Sequence, residues 1–100
     1  MALERHAFTV RGTKPPKVEW DAEADSVYVR FSKRPVARTL DQNAGKMIVA
    51  IDLDSRNQVI GIEAVGLTRF TLSGILEAAN VSAPKVNLSD AEFEPAKSIA

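Results

Sequence analysis

The residues of this chain best suited to chemistry are carboxylates at alternate positions of one short segment. Asp21, Glu23 and Asp25 alternate along the chain, and oxygen ligands with this spacing can converge on a hard cation such as Ca²⁺. A helix–loop–helix calcium site needs Gly at its sixth position and Glu at its twelfth, where this chain has Ser26 and Ser32. We therefore interpret the segment as a structural hairpin turn whose Asp side chains accept backbone hydrogen bonds. We expect it to bind no cation tightly.

A second set of carboxylates surrounds a later turn. Asp52 and Asp54 stand two residues apart, and Glu63 follows on the returning segment, so the three could hold Mg²⁺ for phosphodiester chemistry. No Lys follows Glu63 at the two-residue spacing of restriction-type nucleases. Asp54 is better explained as a turn-forming residue ahead of Asn57, which tolerates a positive φ. A metal-dependent hydrolase using these three carboxylates is the alternative to a structural role.

The sequence lacks the residues that other common catalytic and nucleotide-binding sites need. The chain has no cysteine, which excludes disulfides, thiolate catalysis and zinc sites built on sulfur. His6 is the only histidine, and the sequence has neither a Gly-Lys-Ser/Thr nor a Gly-x-Gly motif for nucleotide binding. We therefore predict a protein that is not an enzyme and has no cofactor or metal.

Charge offers one candidate binding region. The 13 basic and 13 acidic residues cancel, so bulk electrostatics favour neither nucleic acid nor an anionic membrane as a partner. Four cations nevertheless fall within nine residues: Arg30, Lys33, Arg34 and Arg38. With Tyr28 nearby, they are candidate partner-binding residues, and a weak nucleic-acid binder is one interpretation of them. The alternative is a solvated sheet edge whose cations discourage aggregation.

The elements that position these groups are two β-hairpins. Residues 18–31 and 47–62 each comprise two alternating runs of β-branched or aromatic residues around a short acidic turn, which predicts antiparallel pairing. Residues 35–40 are a further predicted strand. Trp20 lies in phase with Val18, so we expect it to be a buried core anchor.

A change of period predicts one helix over residues 71–80. Leu72, Ile75, Leu76 and Ala79 recur at helical spacing after Thr71, a suitable N-cap. The expected fold class is α+β, a small antiparallel β-meander of four to five strands covered on one face by this C-terminal helix. We expect a leader and linker over 1–16, a single domain over 17–80 and a weakly structured extension over 81–100, with one helical turn beginning at Ser89.

An ordered series of motifs adds a family resemblance. Residues 20–32 (WDAEADSVYVRFS), 35–39 (PVART), 52–54 (DLD) and 61–63 (GIE) resemble the YuzE-like family of bacterial domains of unknown function, domain-of-unknown-function family 2283. The resemblance covers about residues 18–65 and implies a β-meander with a following helix and no assigned catalytic residues. Some members look to be encoded beside small toxin-like proteins, which implies an antitoxin-like or partner-binding role. The motif residues are then interpreted as structural: Trp20, Asp21, Glu23, Asp25, Asp52, Asp54, Gly61 and Glu63.

These observations together favour a cytoplasmic protein-interaction domain. No apolar run approaches the length of a membrane span, and no signal-peptide core follows the first residues. Residues 47–53 are apolar on both faces, so we expect Ile48, with Val59 or Ile60, to leave an apolar face that the helix does not cover. We therefore predict a homodimer, with a small toxin-like protein as a further partner and neither nucleic acid nor membrane.

Overall fold

The computed structural model describes residues 6–43, 47–66 and 70–96. Within them the chain forms eight strands, one α-helix and one 3₁₀ turn. The elements are β1 (Phe8–Thr9), β2 (Lys17–Asp21), β3 (Ser26–Arg30), β4 (Arg38–Asp41), β5 (Ile48–Leu53), β6 (Val59–Val65), α1 (Leu72–Ala79), β7 (Val81–Ser82), the 3₁₀ turn (Leu88–Asp90) and β8 (Glu92–Pro95). No helix among these residues is long and apolar enough to cross a bilayer.

Six strands form the main sheet, in the order β4-β5-β6-β3-β2-β8. All neighbours are antiparallel except β8, which runs parallel to β2, and β1 pairs with β7 in a separate two-stranded ribbon. The predicted α+β class, a sheet meander with one helix, is confirmed. The sheet has one strand more than the four to five predicted, because residues 92–95 pair with the outer edge of β2.

The predicted helix is present with the predicted caps. The Thr71 hydroxyl accepts a hydrogen bond from Gly74 N at 3.0 Å, and Asn80 ends the helix in the left-handed conformation with φ of 59°. The four apolar residues that defined the period are buried. α1 packs against β5, β6 and β7, so it covers the β5–β6 half of one sheet face.

The two faces of the sheet differ in chemistry. The helix-facing side is apolar, and seven of its side chains are fully buried: Val18, Val29, Val49, Ile51, Leu53, Ile62 and Ala64. By the cross-strand registers, the opposite side carries mainly polar groups from every strand of the sheet. We call this side the open face.

The burial of Trp20 was predicted wrongly. The side chain lies on the helix-facing side, as its phase with Val18 required, yet it is 39% exposed. Trp20 is the fourth of the five residues of β2, close to the turn, and α1 packs against β5, β6 and β7, so alternation alone did not determine burial.

Two boundaries also differ from prediction. The third strand begins at Arg38 rather than at residue 35. The helical turn expected from Ser89 is instead a 3₁₀ turn over Leu88–Asp90, capped by the Asn87 side chain, which accepts from Ser89 N at 3.2 Å, and it leads into β8. Residues 1–5 and 97–100 of the expected leader and extension lie outside the described residues.

The apolar second face expected to drive dimerisation is largely absent. Ile48 is 55% exposed, but Val59 and Ile60 are buried. A register shift opposite Asp52 and Leu53 leaves Ile60 as an extra residue in β6, so two successive side chains are buried. Ile48 alone of these three side chains is therefore accessible for self-association, and the homodimer stays a prediction.

Candidate functional site

The first acidic turn joins β2 to β3 and is exposed. Asp21 Oδ1 accepts hydrogen bonds from Glu23 N at 3.1 Å and Ala24 N at 3.3 Å, and Asp25 adopts a positive φ of 49°. These are the side chain-to-backbone bonds predicted for a structural turn. The carboxylates of Glu23 and Asp25 remain at the surface.

The second acidic turn, joining β5 to β6, is built around a buried carboxylate. Asp54 Oδ1 accepts from Arg56 N at 2.8 Å and Gln58 N at 2.9 Å, while Oδ2 accepts from Arg34 Nη1 at 3.1 Å. The Gln58 N–H, with Arg34 and Arg56, holds the pKa of Asp54 below its usual value of 3.8, although burial opposes this. Asn57 has the predicted positive φ, at 62°.

The three carboxylates considered for a hydrolase have separate roles. Asp54 lies in the turn, whereas Asp52 and Glu63 lie on the open face. Asp52 accepts hydrogen bonds at both oxygens, from Thr39 Oγ1 at 2.6 Å and from Tyr28 Oη at 2.7 Å. Across residues 6–43, 47–66 and 70–96, no group of three or more His, Asp or Glu side chains is placed to hold a metal ion.

Tyr28 and Asp52 belong to a row of polar groups that crosses the open face. The Tyr28 ring lies over Gly61, where any Cβ would collide with the phenol, so glycine is required for this contact. Burial, followed by the hydrogen bond to Asp52, raises the pKa of Tyr28. Arg30 stacks over the same ring at 4.9 Å and its Nε lies 3.5 Å from Glu19 Oε1. Each polar side chain of this row therefore contacts another member of it. The row consists of Thr39, Asp52, Tyr28, Arg30 and Glu19.

The four cations predicted as a binding region do not form one cluster. Arg30 joins the polar row, Arg34 binds Asp54, and Arg38 lies opposite Leu53 on the other side of the sheet. Lys33 is exposed in the connection between β3 and β4. Sequence reasoning missed three further cations, because they are remote along the chain from these four. They line surface depressions together with Arg30, Lys33 or Arg34: Lys14, Lys17 and Arg56.

A second surface involves aromatic side chains that the core does not bury. Phe93 of β8 is 54% exposed, and the parallel register sets it beside Val18 and sets Pro95 beside Trp20. Trp20 and Phe93 are thus diagonal neighbours on the helix-facing side. Half-buried Phe70 lines a shallow pocket with Trp20 and Val27. We call Trp20, Phe70 and Phe93 the aromatic patch.

The segments that carry the patch are acidic. Residues 18–27 and 88–96 contain no Lys or Arg but hold seven of the chain's 13 acidic residues, four in the first segment and three in the second: Glu19, Asp21, Glu23, Asp25, Asp90, Glu92 and Glu94. Two of them are paired with cations: Glu94 Oε1 lies 3.0 Å from Lys17 Nζ, and Glu19 Oε1 lies 3.5 Å from Arg30 Nε. Sequence reasoning missed Phe93, although its position between Glu92 and Glu94 was a detectable sign of an exposed strand.

The fold and these sites define the class of protein: a small α+β domain with two acidic hairpin turns and a helix packed on one sheet face. A family model described as "Protein of unknown function (DUF2283)" matches residues 17–66, half of the chain, from the start of β2 to the end of β6. The chain therefore belongs to this family, as the motifs predicted. No curated protein and no solved structure significantly matches the chain.

Proposed function

We propose that this protein is a cytoplasmic, non-enzymatic protein-interaction domain that binds a basic partner through the aromatic patch. The observation that carries the proposal is the adjacent exposure of Trp20 and Phe93 on one side of a small sheet. Tryptophan and other aromatic residues supply much of the binding energy of protein interfaces, and exposed apolar patches rimmed by polar groups are typical of them.

The charge around the patch supports a basic partner. Two exposed carboxylates of the β2–β3 turn, Asp21 and Asp25, line the same shallow pocket as Trp20 and Phe70. The carboxylates of β8 lie on the open face instead. Opposite charges at an interface rim accelerate association and exclude unsuitable partners. Two copies of this chain meeting through the patch would bring carboxylates against carboxylates, so self-association there is disfavoured.

A small toxin-like protein fits this description. A protein that acts on nucleic acid needs Lys and Arg to hold phosphates, and an acidic, aromatic surface can cover such a site. The family resemblance led to the same antitoxin-like expectation. In contrast, the motif carboxylates Asp52 and Asp54 already accept protein hydrogen bonds, which supports a structural role for them.

The proposal can be tested by site-specific cross-linking in the native host. A photoreactive phenylalanine analogue replaces Phe93 in one variant and Ile48, which is equally exposed on the open face, in a control variant. We expect a covalent adduct with a basic protein from position 93 and no such adduct from position 48. A self-adduct of doubled mass from position 48 would support the homodimer instead.

Binding by the purified adduct partner then tests the role of the patch. We expect Trp20→Ala to weaken the affinity at least tenfold, a change of about 1.4 kcal/mol. The matched control is Ser73→Ala, at an exposed position of α1. The proposal is wrong if position 93 yields no specific adduct, if the adduct partner is acidic, or if Trp20→Ala and Ser73→Ala bind equally well.

A further inference from the structure

We infer that the end of the sheet opposite the acidic turn binds the phosphodiester backbone of a nucleic acid. β3 runs from the acidic turn to the connection 31–37, so these two segments lie at opposite ends of one strand. The registers pair Arg30 with Gly61 and Gly61 with Asp52, which places the turn between β5 and β6 at the same end as the connection. We call this the basic end.

Of the nine Lys and Arg residues that the structure describes, seven lie at the basic end. Two adjoining depressions flank the connection. The first is lined by Lys14, Lys17, Arg30 and Lys33. The second is lined by Arg34 and Arg56 around exposed Val36. The seventh cation is Arg38, at the start of β4.

Only part of this positive charge is neutralised. Among the ion pairs between described residues, Arg34 pairs with Asp54, Arg30 with Glu19 and Lys17 with Glu94. Lys14, Lys33, Arg38 and Arg56 take part in none of these pairs, and all four are exposed. Asp90 and Glu92 line the first depression and Asp54 lines the second, so each lining keeps an excess of cations over carboxylates.

The arrangement fits a polyanion better than a small anion. A small anion is held where donors converge on one point, whereas these cations are spread over two depressions and a strand end. A polymer with regularly spaced phosphates can contact them successively, and Arg and Lys are the residues that bind such phosphates. A net charge of zero disfavours nucleic acid only on average over the surface, since a local excess of cations can still attract a polyanion.

Fluorescence anisotropy with labelled single- and double-stranded oligonucleotides tests this inference. We expect binding at about 50 mM salt that weakens as salt rises, with a slope of log K against log salt of about −3 to −4 for four phosphate contacts on duplex DNA. Lys33→Ala and Arg56→Ala should each reduce the magnitude of this slope by about one. Lys85→Ala, an exposed lysine in another segment, is the control and should leave the slope unchanged.

Three outcomes would overturn the inference. These are undetectable binding to either oligonucleotide at low salt, a slope that Lys33→Ala and Arg56→Ala leave unaltered, and tighter binding of poly-L-glutamate, which would assign the surface to an acidic protein. Thermal melts of each variant exclude misfolding. Trp20→Ala should bind oligonucleotide normally, so this inference and the proposed function of the aromatic patch fail independently.

Discussion

The two hairpins of this domain have nearly the same sequence pattern but different environments. In the β5–β6 hairpin, Val49, Ile51 and Ile62 are fully buried, and the turn itself contains the buried Asp54. In the β2–β3 hairpin, Trp20 and the turn carboxylates are exposed. β5 and β6 lie inside the sheet beneath α1, whereas β2 has only the short strand β8 on its outer side.

The difference shows how one pattern can serve two purposes. In both hairpins the alternating apolar side chains form core, and Val18 and Val29 of the first hairpin are fully buried. Trp20, beside the turn and away from α1, stays accessible. The turn end of the first hairpin is therefore available for binding, whereas the second hairpin is buried up to its turn residue Asp54. Substitutions in the two hairpins should separate stability from binding.

The largest expected effect is that of Ile51→Ala in the central hairpin. Ile51 is fully buried and faces Ile62, so truncation leaves a cavity and should cost about 2 to 5 kcal/mol of unfolding free energy in urea titrations. Val36→Ala, at an exposed position, is the control and should stay within about 0.5 kcal/mol. A loss below about 1 kcal/mol for Ile51→Ala would contradict the assignment of the core.

Asp54→Ala should have the next largest effect. The substitution leaves two backbone N–H groups and Arg34 without their acceptor, and we expect the melting temperature to fall by about 5 °C at neutral pH. Asp21→Ala removes an exposed acceptor from the other turn and should cost less. Equal losses from the two substitutions would mean that burial does not distinguish the turns.

The effect of Asp54→Ala should also depend on pH. Because the folded state holds the pKa of Asp54 below 3.8, the carboxylate contributes its full stabilisation above that pH. The contribution is lost as the pH falls through the folded-state pKa. The difference in melting temperature between the parent protein and Asp54→Ala should thus be constant near neutral pH and should shrink below about pH 3.8. A difference that grows in acid would contradict this sign.

Tyr28→Phe tests the link between the hairpins, because Tyr28 of the first donates to Asp52 of the second. We expect a loss of about 0.5 to 1 kcal/mol, the lower part of the range for a hydrogen bond, since the site is half-exposed. A double-mutant cycle with Asp52→Ala should show coupling of similar size. Additive losses would mean that this bond contributes nothing.

Trp20→Ala should change stability by less than about 1 kcal/mol despite removing the largest side chain of the first hairpin. The physical reason is its exposure, and the sequence pattern alone would have indicated a loss of about 3 to 5 kcal/mol. Trp20 is the only tryptophan, so its fluorescence should be readily quenched by iodide. Poor quenching together with a large loss of stability would mean that Trp20 is buried in the core.

The smallest expected effect is that of divalent cations on the Asp21 turn. Ca²⁺ or Mg²⁺ should leave the melting temperature unchanged, because Asp21 Oδ1 is already hydrogen-bonded to the turn backbone. A ligand that bound the folded state would raise the melting temperature by mass action. A gain with either cation that Asp21→Ala abolishes would show that the turn is a metal site.

The sequence by itself determined the local structure. Alternation and turn residues predicted the hairpins, and Thr71, Asn80 and the helical period predicted α1, because these signals act between residues close in the chain. Asp54 was assigned correctly as a turn residue for the same reason. The family match over residues 17–66 also rests on these local motifs.

Only the tertiary structure decided which surfaces are exposed. The pairing of β8 with β2 puts Phe93 near Trp20, and the fold gathers Lys14 and Arg56 around the connection 31–37. Neither arrangement has a local signal, because the residues are far apart in the chain and meet only through sheet order. Burial depends in the same way on what packs above a strand, and for Trp20 no pattern within β2 could show that α1 lies over β5 and β6.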